Sequence, residues 1–144
     1  MEEQHLLKVN DWIKVATKGL SSSELIDFFE LAVVKLWVRC NMTISDVTLT
    51  AVADRALFYS MDVHKVFLHL TINSTGIHWN EFRKSCTVLR RDEMISAFAY
   101  FIAEFISIIS CITDEILAGP LHRELASITF KREKDRERES RRKI

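Results

Sequence analysis

Apolar residues recur every three or four positions along most of the chain, the spacing that gives an α-helix one buried stripe. Residues 2–18 place Leu6, Leu7, Val9, Trp12, Ile13 and Ala16 in this way, and Gly19 is a suitable stop. Ser21 and Glu24 then stand at capping-box spacing, so each side chain can satisfy a backbone N–H of the other. The helix they open carries Leu25, Phe28, Phe29, Ala32, Val33, Leu36 and Trp37 on one face, with Leu31 and Val34 widening it. Residues 41–46 read as a turn. Ser45 or Asp46 is suited to cap a third helix running to about Ser60, with Leu49, Val52, Ala53, Ala56 and Leu57 inward.

The period changes after Asp62. Val66, Leu68, Leu70 and Ile72 alternate with Phe67, His69 and Thr71, which is the strand period, and residues 73–76 have turn chemistry before Ile77 and Trp79. A short hairpin near residues 65–80 fits this pattern. A distorted helix, a loop and a new helix at Trp79 fit it too, and are preferred because an isolated hairpin is weakly stable. From about Asp92 to Leu117 runs the longest apolar element, which Gly119 and Pro120 are expected to end. A last helix then starts near Leu121 and buries Leu121, Leu125 and Ile128.

These elements predict a mainly all-α fold: a compact bundle of about five helices formed by residues 1–130, followed by a charged helical tail, residues 131–144. Composition agrees. Three glycines and one proline in 144 residues are too few for the frequent turns of an all-β fold. Such a length buries enough surface to be stable without metals or disulfides.

Twenty basic and twenty acidic residues cancel, but unevenly along the chain. The tail holds eight of the basic and four of the acidic residues, leaving the body with twelve and sixteen. A polyanion-binding domain concentrates positive charge on its folded part, so nucleic acid is an unfavoured partner. In the tail, Glu137–Arg141 and Glu139–Lys143 have the i, i+4 spacing that supports a solvated helix. Its acids would repel phosphate, and it lacks aromatics for base stacking. Cys40, Cys86 and Cys111 form no regular framework, and the N-terminus lacks the apolar run of a secretory signal. Both features point to reduced thiols and a cytoplasmic location.

Residues 94–112 include one charge, Glu104, and are long enough to cross a bilayer. Nine Ile and Phe residues contribute roughly −3 to −5 kcal/mol to insertion, and a central acid opposes this with roughly +3. Hydropathy therefore does not decide. Glu93, Glu104 and Glu115 stand eleven residues apart, about three helical turns, and so form a polar stripe on an apolar cylinder. That arrangement favours a buried bundle helix over a membrane anchor.

Catalytic and metal motifs are sparse. Among His5, His64, His69, His78 and His122 there is no His-Glu-x-x-His, no paired cysteines, and one Glu-x-x-His at residues 2–5 where two are needed. Cys86 lies near His78 in sequence, but no glycine-rich elbow or phosphate loop accompanies them. No catalytic residue, metal site or cofactor is assigned. The expected function is therefore a non-enzymatic helical protein-interaction module of signalling or regulatory type. It would pair with itself as a homodimer or bind a partner protein, through a surplus apolar face on the long helix: Phe98, Tyr100, Phe101, Phe105 and Ile109. A bundle holding a small molecule or haem is the alternative, since a single histidine ligand needs no spacing. A membrane-associated protein anchored by residues 94–112 is the weaker one.

Overall fold

The computed structural model describes residues 2–73 and 75–128, so the charged tail lies outside the described residues. The elements are α1 (Glu2–Ala16), α2 (Ser22–Asn41), α3 (Asp46–Val63), a 3₁₀ turn (Lys65–His69), β1 (Thr71–Asn73), β2 (Gly76–His78), α4 (Asn80–Cys86), α5 (Arg91–Ile112) and α6 (Ala118–Ala126). The fold is mainly all-α, with one small two-stranded sheet among the described residues.

Local chemistry sets the helix starts. Glu24 N–H donates to Ser21 Oγ (3.2 Å) while Ser21 N–H donates to Glu24 Oε1 (3.0 Å), the reciprocal box expected from their spacing. Ser45 Oγ accepts from Thr48 N–H at 3.3 Å and opens α3. Past the end of α1, Gly19 adopts φ 76°, a left-handed turn that side chains resist.

The segment after α3 combines the two sequence readings, a short distorted helix and a hairpin. Residues 65–69 form a 3₁₀ helix, a tightened turn rather than a strand; the hairpin follows as β1 and β2, and the new helix expected at Trp79 opens with Trp79 as its N-cap. Thr71 pairs with His78, Ile72 with Ile77 and Asn73 with Gly76. A three-residue hairpin is too short to stand alone. Here Ile72 and Ile77 pack against the core and β1 lies on α3, so tertiary contact stabilises what local preference would not.

The end of α5 departs from the sequence reading. The apolar pattern carries the helix to about Leu117, yet it stops at Ile112 because Asp114 and Glu115 turn left-handed at φ 53° and 67°. Glu115 N–H reaches back to Ser110 O at 2.7 Å, the long closing bond of a Schellman-type end. Aspartate tolerates that backbone better than most residues. Pro120 does not terminate anything: it sits in the first turn of α6, where a missing N–H costs no hydrogen bond. The observed bundle thus has six α-helices among the described residues where about five were expected.

α5 runs through the centre, packed by α1, α2, α3 and α6. Its Phe98 stacks on Phe29 of α2 with ring centroids 4.3 Å apart. Phe67 of the 3₁₀ turn stacks on Phe82 of α4 at 5.6 Å and on Phe101 at 5.5 Å. Offset and edge contacts of this kind add to area burial. Two arginines fix the periphery. Arg91, at the start of α5, donates to Leu20 O at 2.8 Å and Thr17 O at 2.7 Å, satisfying carbonyls past the end of α1. Arg83 of α4 bridges Asp27 and Glu30 on α2.

Candidate interaction face on α3 and α5

The apolar face assigned to the long helix is not a surface. Phe98, Phe101, Phe105 and Ile109 are all buried, and Tyr100 is half-buried. Four surrounding helices consume the surplus that the isolated pattern of α5 shows. The helix remains long and apolar enough to cross a bilayer by length and composition, but 56% of its most apolar window is buried inside the protein. The centre of the bundle, where a small molecule or haem would be seated, is filled by the phenylalanine rings described above.

The three-glutamate stripe is also broken. Glu93 is exposed in the first turn of α5 and pairs with Arg90 at 3.4 Å. Glu104 is half-buried mid-helix and lines a groove between α3 and α5. Glu115 lies past the helix end, with its carboxylate 3.9 Å from Nε2 of His5. The left-handed turn at residues 114–115 removes it from the line that a continuous helix would draw.

What sequence reasoning missed lies on α3. This helix buries Leu49, Val52, Ala53, Ala56 and Leu57 as expected, but its opposite face is not uniformly polar. Val47 is 82% exposed and Phe58 61%, with Tyr59 against Phe58, and Val63 at the end of the helix is 55% exposed. Across the groove, Ile112 of α5 is also exposed, and Ile108 and Cys111 contribute lining. The groove encloses about 670 Å³. Phe58 and Tyr59 pack edge to face, centroids 5.9 Å apart, and Arg55 donates to Tyr59 Oη at 3.0 and 3.2 Å. The arginine therefore holds the tyrosine ring against the groove wall. A signal was available in the sequence, because Phe58 occupies a position off the buried arc of an otherwise amphipathic helix.

A smaller groove of about 400 Å³ runs between α2 and the hairpin, walled by Val34, Trp37, Val38, Ile77 and Trp79. It is shallower in aromatic exposure, since both tryptophans are half-buried against the core.

The described residues bring together one histidine pair. His5 Nδ1 lies 2.9 Å from His122 Nε2, and the two rings are tilted by only 16° with centroids 5.2 Å apart. That separation leaves the rings edge to edge in nearly one plane, a direct N–H···N hydrogen bond rather than a face-to-face stack. One ring is donor and the other acceptor, a bond that two protonated rings cannot form. With the carboxylate of Glu115 near Nε2 of His5, the favoured tautomer has His122 Nε2–H donating to His5 Nδ1. Burial first, then the neighbouring His5 and Lys8, pushes the His122 pKa down to about 4. Burial also lowers that of His5, against the opposing pull of Glu115. His5 is buried although it lies in the first turn of α1. The pair locks α1 to α6.

Among the described residues no group of three or more His, Cys, Asp or Glu side chains is placed to hold a metal ion. The Cys86 thiol is buried and pushed up to about 12, and that of Cys40 to about 11, in both cases by desolvation. A nucleophile needs the opposite shift. His78, its neighbour in sequence, is engaged in the hairpin with Thr75 Oγ1 and Asn73 Oδ1.

Compared with family models, curated proteins and solved structures, the chain shows no significant match. The α3–α5 face, with its exposed aromatic and aliphatic side chains beside a filled core, is the candidate functional site.

Proposed function

We propose that this protein is a non-enzymatic helical interaction module, working in the cytoplasm, that docks a protein through the outer face of α3 and the adjoining end of α5. One observation carries the reading. Phe58, an aromatic on a well-formed helix, holds 61% of its surface in water against the ring of Tyr59, which itself lines the groove with Val63 and Ile112, in a bundle that buries the phenylalanines at positions 28, 29, 67, 82, 98, 101 and 105. Leaving a phenylalanine out forgoes about 1.5–3 kcal/mol of burial. A contiguous apolar patch with a polar rim is the usual mark of an interface, with the aromatic as its anchor. Arg55, Asp62 and Glu104 supply polar side chains to the adjoining groove. The buried, protonated state of Cys40 and Cys86 agrees with a reducing compartment.

The test is an environment-sensitive apolar dye added to the folded protein. Its fluorescence should rise with wild type and fall to background with Phe58→Glu. The control Val88→Glu, at a position 84% exposed between α4 and α5, should retain the signal. Absence of a response from wild type, or an equal response from both variants, would count against an interaction face at this position.

A further inference from the structure

We infer that the partner seated on this face is a second copy of the same chain, with the two α3 helices packed antiparallel about a two-fold axis between Phe58 and Tyr59. The inference rests on the interaction-module reading above and adds the occupant. Its basis is the order of charges along the exposed side of α3. Arg55 and Asp62 both line the groove, two helical turns apart, with Tyr59 between them. A two-fold interface brings residue i against j and j against i. Placing the axis midway between 58 and 59 sets Arg55 opposite Asp62 of the second copy, and Asp62 opposite its Arg55. Each end of the seam then closes with an opposite-charge pair. Phe58 of one copy meets Tyr59 of the other at the centre, where anchoring aromatics concentrate. Asp54 falls opposite Val63, so no like charges oppose each other across these positions.

Parallel packing fails the same test. It would set Arg55 against Arg55 and Asp62 against Asp62, repulsive at both ends. The charge order thus selects both the partner and its orientation. Ala51, one turn before Arg55, is small and exposed, which permits close approach of the two backbones at the flank.

Sedimentation equilibrium on the full chain across micromolar to millimolar loading tests this, with urea midpoints recorded to verify folding of each variant. Wild type should show a monomer–dimer equilibrium. Arg55→Asp and Asp62→Arg each convert two attractive pairs into two repulsive ones and should weaken dimerisation about tenfold or more. The double variant R55D/D62R restores opposite charges only in the antiparallel arrangement, and should recover wild-type association. Phe58→Glu should leave a monomer. Wild type that remains monomeric throughout overturns self-pairing; if Phe58→Glu still abolishes the dye signal, the interaction face survives with a different occupant. A dimer insensitive to both single charge changes, or a double variant no better than either, overturns the antiparallel α3 seam.

Discussion

Replacing Phe98 with alanine tests whether the centre of α5 is protein core. Phe98 has no exposed surface, stacks on Phe29 at 4.3 Å and lies 6.1 Å from Phe82. Truncating a buried phenylalanine costs about 3–5 kcal/mol through lost transfer energy and the cavity left behind. The stacked partner adds about 0.5–1.5 kcal/mol that burial alone does not include. Because domains of this size are stable by about 5–15 kcal/mol in total, a softer change keeps the experiment readable. Phe98→Leu retains much of the volume and should cost about 1–2 kcal/mol, less than truncation because the residual cavity is smaller. Equilibrium urea unfolding followed by circular dichroism measures both, with an unchanged slope showing that the midpoint shift reports stability. Phe58→Ala serves as the contrast and, at protein concentrations low enough to keep the chain monomeric, should stay within about 0.5 kcal/mol of wild type, since its ring faces water there. Pairing Phe29→Ala with Phe98→Ala in a cycle isolates the ring contact. A loss below about 1 kcal/mol for Phe98→Ala, equal to that of Phe58→Ala, would refute a buried α5.

Arg91→Ala removes two charge-assisted hydrogen bonds to Leu20 and Thr17 carbonyls and should destabilise by about 2–3 kcal/mol in the same urea assay. Acid should act through the histidine pair: with its pKa near 4 in the folded chain against about 6.5 unfolded, His122 takes up a proton only on unfolding. Stability is therefore full above about pH 6.5 and falls as pH drops toward 4, by about 1–2 kcal/mol once the full linkage value is discounted for the solvent reaching a half-buried ring. His122→Gln should flatten that limb of the pH–stability curve; an unchanged curve would reject it. Thiol labelling of the native protein should modify Cys111 alone, with Cys40 and Cys86 reacting only after denaturation, read by mass spectrometry.

The helices whose evidence is local were legible in the residues alone. The capping box at Ser21 and Glu24, the serine cap at Ser45 and the apolar spacing of α2 and α3 all act within a few residues, so the pattern reveals them directly. The all-α class follows for the same reason. Whether the apolar circumference of α5 was surface, core or membrane span could not be read from α5, because the answer depends on how many neighbours surround it. Tertiary packing supplied four, and Phe98, Phe101, Phe105 and Ile109 became core. The same dependence governs the hairpin, which exists because Ile72 and Ile77 find a core to rest on, and the His5–His122 bond, whose partners are 117 positions apart. The exposed edge around Phe58 is what remains apolar once every other phenylalanine at a described position has found its place inside. Periodicity reports what a helix can bury; only the assembled bundle decides which of those faces it leaves in water.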